Sequence, residues 1–252
     1  MASKTSPCNH VWIDQIPTIW IDTVQSSPHR KLAIWIPWFT GNKEATMPYL
    51  TDLSKQGYVA LSYDPWEHGE RAKESMEVLS TRILGNFRRY FWPILAHTAE
   101  DILRVVDWAV ESLGVEPPVY LGGISMGGDI AVAAAGIEKR VIRVAALNAT
   151  PDWMRPGVDI AAGTADAYSE YLFRRLNPML HLDAYSHCPA ILFECGADDK
   201  RVPPDGALRF QAALRKTYES CPDKLQVNLH AGVGHESTVK MWRNSLAWFA
   251  RA

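Results

Sequence analysis

The sequence predicts an α/β fold: one domain, residues 1–252, on a mostly parallel eight-stranded sheet with helices on both faces and a small cap insertion at about residues 150–182. Three observations predict it. Strand-like apolar runs alternate with stretches of helical spacing along nearly the whole chain. Most of those runs are apolar throughout, as in strands covered on both faces. A glycine-rich stretch, Gly122–Gly128, joins one such run to a small-residue run that reads as a helix, forming a strand–turn–helix unit.

The elements follow in order. His10–Asp14 and Thr18–Val24 are rich in Val, Ile and Trp and are split by Gln15-Ile16-Pro17, which suggests an antiparallel hairpin at a sheet edge. Leu32–Pro37 reads as a buried strand, Trp38–Asn42 as a loop, and about Lys43–Gln56 as a helix ended by Gly57. Tyr58–Tyr63 is a further buried strand. Asp64–Arg71 is too polar and too punctuated by Pro and Gly to continue it, and begins a long loop. Thr98 with Asp101 resembles a capping box for a helix carrying Ile102, Val105, Val106, Ala109 and Leu113, which Gly114 stops. Val119–Leu121 leads into the glycine-rich turn, and a helix from Asp129 leads out. Val141–Leu147, Ala190–Cys195 and Lys224–His230 read as the remaining strands, with helices at about Asp205–Glu219 and Glu236–Ala250. Between Thr150 and Leu182 the rhythm breaks at Pro151, Pro156, Gly157 and Gly163. Tyr168, Leu172, Leu176 and Leu180 then recur at helical spacing, giving the insertion.

Composition narrows the function. With 252 residues, 47% hydrophobic and 21% charged, the chain can bury a large core. A net charge of −2 and dispersed Lys and Arg give no footprint for nucleic acid, so a small-molecule substrate is expected. No stretch has the apolar length of a signal peptide or a membrane span, which predicts a cytoplasmic protein, monomer or homodimer. Cys8, Cys188, Cys195 and Cys221 lack C-x-x-C spacing and a disulfide pattern, so ordinary thiols and no structural zinc are expected.

The chemistry centres on Gly123-Ile-Ser125-Met-Gly127, a Gly-x-Ser-x-Gly turn. A serine on a sharp strand-to-helix turn projects its hydroxyl above the sheet, which makes Ser125 a candidate nucleophile. A serine hydroxyl needs a base, and the base needs an acid to hold its tautomer. In an open parallel sheet both should follow the carboxyl ends of later strands. Asp198 or Asp199 follows Ala190–Cys195, and His235 lies on the glycine-rich loop after Lys224–His230. The N–H of Met126, directly after the nucleophile, is a candidate oxyanion donor, with a second from the loop after Ile36. Trp38, Trp66, Trp92, Trp153 and Tyr168 are candidates for lining a substrate pocket. Glu67, His68, Glu70 and Arg71 lack metal-ligand spacing and read as ion pairs anchoring a loop. His97 and His230 need no chemical role.

Nucleophile, acid and base in this order, each after a strand of one sheet, match the chain order of the α/β-hydrolase triad. Asp64-Pro-Trp-Glu-His-Gly-Glu-Arg71, Gly123–Gly128, Asn177-Pro-Met-Leu180 and Asp198–Pro204 extend the likeness over nearly the whole chain. The chain resembles α/β-hydrolases of the esterase, dienelactone hydrolase and prolyl-oligopeptidase-like branch, and in it small bacterial carboxylesterases of the YitV type. The resemblance implies that the acid stands three residues before the Val of Val202-Pro203, which selects Asp199. It also implies a His-Gly-x oxyanion loop. Pro37-Trp38-Phe39 stands in that place, so Phe39 is the implied donor and Trp38 the second candidate. The expected activity is cleavage of a carboxylic ester with an apolar acyl or alcohol group through an acyl-enzyme, without a cofactor. A thioester, lactone, peptide or carbon–carbon substrate, or a non-catalytic ligand-binding role, would fit the same fold.

Overall fold

A computed structural model describes residues 8–24, 30–158 and 162–251. Its sheet has eight strands in the order β1-β2-β4-β3-β5-β6-β7-β8 and is not closed. They are β1 (Cys8–Ile13), β2 (Ile16–Ile21), β3 (Lys31–Ile36), β4 (Tyr58–Tyr63), β5 (Glu116–Ile124), β6 (Val141–Leu147), β7 (Ala190–Gly196) and β8 (Leu225–His230). The β1–β2 and β2–β4 pairs are antiparallel and the rest parallel, so the hairpin closes one edge. This is the α/β-hydrolase fold.

Side-chain alternation along the strands feeds two cores. Leu32, Ile34 and Ile36 of β3 face a large layer shared with α2 (Met76–Gly85), α3 (Phe87–Leu113), α4 (Met126–Ile137), α5 (Ala167–Leu176) and α6 (Asp205–Ala213). Ala33 and Trp35 face the other layer, with α1 (Met47–Lys55) and α7 (Val239–Ala250). Burial on both faces is why these strands lack polar alternation.

Several boundaries move. The helix expected from Thr98 begins at Phe87 and runs 27 residues to Leu113, with Pro93 inside it. Its cap is Asn86, whose Oδ1 accepts the Arg89 N–H at 3.1 Å. Thr98 instead donates its hydroxyl to the Ile94 carbonyl at 2.7 Å and accepts the Trp66 N–H at 2.9 Å. Asp101 pairs with Arg71 at 2.5 Å. The long loop after β4 also holds α2, opened by Ser75 accepting the Val78 N–H at 3.3 Å. Only Leu79 and Ile83 of α2 are buried, too sparse a pattern to stand out from the sequence. Helix α6 stops at Ala213 and α7 starts at Val239, behind a Thr238 cap.

Residues 150–158 and 162–182 hold loops and α5, whose Asp166 N-cap accepts the Ser169 N–H at 2.9 Å. Residues 159–161 of the expected insertion lie outside the described residues. Among the described residues no helix is long and apolar enough to cross a membrane.

Candidate active site

Ser125 stands between β5 and α4 with φ 52° and ψ −118°, a conformation that residues with a side chain rarely adopt. The Ser125 N–H donates to the Leu147 carbonyl at 2.7 Å, and the Ser125 carbonyl accepts from Gly128 and Asp129 at 2.9 and 3.0 Å. These bonds hold the turn from both sides. Gly127 makes it possible, because a Cβ there would lie 2.2 Å from the Ile36 carbonyl oxygen. That contact also brings α4 against the end of β3, where the Pro37-Trp38-Phe39 loop begins.

His235 arrives from the far edge of the parallel sheet. Ala197 N–H donates to the His230 carbonyl and Asp198 N–H to the Val233 carbonyl, both at 2.9 Å, so the loops after β7 and β8 lie backbone to backbone. Gly196 permits this approach, since a Cβ there would meet the Gly234 carbonyl oxygen at 2.2 Å. In consequence His235 Nδ1 lies 2.6 Å from Asp199 Oδ2, and its Nε2 lies 3.0 Å from Ser125 Oγ. With the proton on Nδ1 directed to the carboxylate, Nε2 is left to accept the serine hydroxyl. The Asp199 side chain is fully buried, and its Oδ1 accepts the N–H groups of Arg201 and Val202, both at 2.9 Å. Its neighbour Asp198 is exposed. Beneath them lies a second buried cluster, in which Glu194 accepts from Asn228 at 2.7 Å and from Asn244 at 3.1 Å and contacts His230.

A cavity of about 700 Å³ opens over Ser125 and His235. Trp38 and Phe39 line it, with Ile83 and Leu84 of α2, Phe87 and Phe91 of α3, and Arg155 and Arg201. The other aromatic candidates lie elsewhere, which corrects their expected place in the wall. Trp92 and Trp153 are buried structural residues: the Trp92 indole N–H donates to the Trp153 carbonyl at 3.0 Å and its ring stacks on Phe173 at 4.1 Å. Trp66 sits under the Arg71 guanidinium, 4.7 Å from its ring centroid. Tyr168 is 55% exposed and bonds its hydroxyl to His97 at 2.5 Å. In the polar loop after β4, Glu67 pairs with Arg82 at 2.8 Å, Glu70 with Lys43 at 2.5 Å, and the buried Asp64 with Lys43 at 2.9 Å. Burial holds the His68 imidazole below its ordinary value. Among the described residues no group of three His, Cys, Asp or Glu could hold a metal.

Lining residues not foreseen from the sequence include those of α2 and the start of α3, whose helical signal is weak or hidden, and the two arginines. Arg201 had a signal, two positions beyond the acid. Arg155 had none, because only folding brings it beside Phe87 and Phe91.

A family model described as the prolyl oligopeptidase family matches residues 96–252, more than half of the chain, taking in Ser125, Asp199 and His235. The chain belongs to the prolyl oligopeptidase family. It is thereby placed among serine hydrolases. A Bacillus subtilis (strain 168) protein that carries the name of an esterase, YitV, is 24% identical over 234 residues, covering 86% of this chain and 88% of the relative. Among solved structures, TT1662 from Thermus thermophilus aligns with a TM-score of 0.75 at 20% identity, covering 97% of each chain. An acylaminoacyl peptidase from Pyrococcus horikoshii aligns with a TM-score of 0.68 at 15% identity over 98% of this chain. This chain spans 40% of that peptidase's length. The fold thus recurs both in a chain of about this length and within a longer one.

Proposed function

We propose that this protein hydrolyses carboxylic esters through an acyl-enzyme, with Ser125 as nucleophile, His235 as general base and acid, and Asp199 as the group that orients and steadies the imidazole. One observation carries the reading: His235 contacts Ser125 Oγ through one ring nitrogen at 3.0 Å and the buried Asp199 carboxylate through the other at 2.6 Å. As Ser125 Oγ attacks the substrate carbonyl, Nε2 takes the hydroxyl proton and the imidazolium is stabilised by Asp199. Negative charge then develops on the carbonyl oxygen. The Met126 N–H, in the first turn of α4 and free of an intrahelical acceptor, is one donor to it. The Phe39 N–H is the second, with Trp38 as the alternative on the same loop. Collapse of the tetrahedral species breaks the ester C–O bond, and Nε2–H protonates the departing alkoxide. Water repeats the cycle on the acyl-serine.

The apolar wall of Phe39, Ile83, Phe87 and Phe91 suits an aliphatic or aromatic acyl group. Peptide cleavage is the second reading, favoured by the family match. Both are tested by labelling with a fluorophosphonate and mapping the adduct, then comparing alkyl esters with matched acyl-amino-acid amides. The expected result is an adduct on Ser125 and faster ester cleavage. An unmodified Ser125 in folded protein would sink the mechanism, and faster amide cleavage would turn the assignment to a peptidase.

A further inference from the structure

The cavity over Ser125 has an apolar body. Among the described residues its ionisable lining besides His235 is Arg155 and Arg201, with no carboxylate. Arg155 lies on the loop after β6, its side chain 8% exposed, and pairs with the fully buried Asp129 four positions beyond the nucleophile. Asp129 Oδ1 also accepts the Thr150 N–H at 2.7 Å, which fixes the carboxylate and, through it, the guanidinium. The guanidinium carbon stands 5.2 Å from the Phe87 ring centroid and 5.5 Å from that of Phe91. Its Nε is buried with no hydrogen-bond partner among the described residues. Arg201 is exposed, and no hydrogen bond or ion pair ties its guanidinium to any described residue.

We propose that this cavity selects esters whose acyl chain ends in a carboxylate, bound by Arg155 and Arg201 at the end remote from the scissile carbonyl. This rests on the hydrolase reading above. A carboxylate entering an apolar cavity loses its hydration, and only charge-assisted hydrogen bonds offset that loss. Two guanidinium forks, that of Arg155 beside Phe87 and Phe91, offer such bonds in the planar geometry a carboxylate fits. A wholly neutral acyl chain would press methylene groups against those donors and leave them unmet, which discriminates against it. Asp129 does not use up this capacity, because a guanidinium has five donors and the pair engages Nη2.

The probes are monoethyl adipate and the matching ethyl ester with a terminal carboxamide, which keeps shape and carbonyl oxygen but loses charge. The wild-type protein should favour the carboxylate by about 30-fold or more in kcat/KM, within the range of hydrogen bonds to charged groups. The preference should shrink as salt is raised. Arg201→Gln should lower it about tenfold, mainly through KM, and Arg201→Glu should reverse it. For Arg155 the double variant Asp129→Asn/Arg155→Gln removes both charges, so that no buried carboxylate is left unpaired, and should also lower the preference about tenfold. Equal turnover of the two esters by the wild type would overturn the proposal. So would variants that slow both esters alike, since that places the arginines on a neutral carbonyl. Fluorophosphonate labelling run in parallel separates the two levels. Labelled Ser125 without a charge preference, including no turnover of either ester, overturns the substrate class alone. Unlabelled Ser125 overturns the hydrolase reading and the substrate class with it.

Discussion

Ser125 keeps φ 52° although it carries a side chain, and such a residue costs about 1–3 kcal/mol. The strain aims its hydroxyl at His235, so stability and activity should part at this position. Ser125→Gly relieves the backbone and should raise stability by about 0.5–1 kcal/mol in urea unfolding while abolishing ester cleavage. Ser125→Ala should keep the fold and lower kcat by about 10⁴-fold or more. At Asp199 the expectation is a loss of similar size, about 10⁴-fold in kcat for Asp199→Asn, because an amide N–H facing Nδ1 favours the wrong tautomer. Steady-state kinetics with circular dichroism as the check on folding measures all three. The residue scale also marks the limit of the sequence. Asp198 and Asp199 are equivalent as neighbours on a loop, and resemblance alone chose between them. The fold separates them, one exposed and the other enclosed by the Arg201 and Val202 amides.

Elements were legible where burial writes itself into composition. Strands β3 to β7 are largely apolar on both faces, β8 alternates apolar and polar residues, and no helix competes for runs that short. The helices α2 and α3 were harder for opposite reasons. Helix α2 buries only two side chains, and α3 carries Pro93, whose ring and missing N–H argue for a boundary that neighbouring packing overrides. Since these two elements wall the cavity, the cavity lining was the least legible part of the site. Trp92 and Trp153 were misplaced for a related reason: an aromatic near a loop signals burial, not which side of a helix it is buried on. Leu84 is 54% exposed at the cavity wall. Leu84→Trp should therefore leave thermal stability within about 0.5 kcal/mol and raise KM for long acyl chains more than for acetate esters. At Gly127 the outcome reverses. Ala there drives a methyl onto the Ile36 carbonyl, and should cost about 1–3 kcal/mol in denaturant unfolding along with most of the activity.

For the molecule as a whole, chain order was informative because topology is nearly linear from β5 onward, with β5, β6, β7 and β8 adjacent in sequence and in space. Loops following successive parallel strands then open on the same edge of the sheet, so Ser125, Asp199 and His235 could be assigned to one site without coordinates. The hairpin and the polar loop after β4 reach outside that rule, and their ion pairs needed the structure. Acid tolerance is also a property of the whole. Burial lowers His68, His97 and His187 below 6.5. The unfolded chain therefore binds protons that the native state refuses as pH falls below 6.5. Stability should be full above that value and decline through the window down to the lowered native values. The midpoint of thermal unfolding across that range measures the decline, and His68→Gln should flatten it.

Ser125, Asp199 and His235 lie on three segments that meet only when β7 and β8 are paired beside β6. A chain made from its N-terminus presents Ser125 well before His235 has been synthesised, so on the function proposed above that serine has no base for the interval. On the same proposal, hydrolytic competence requires β8 in place, so activity should not return during refolding before β8 pairs with β7.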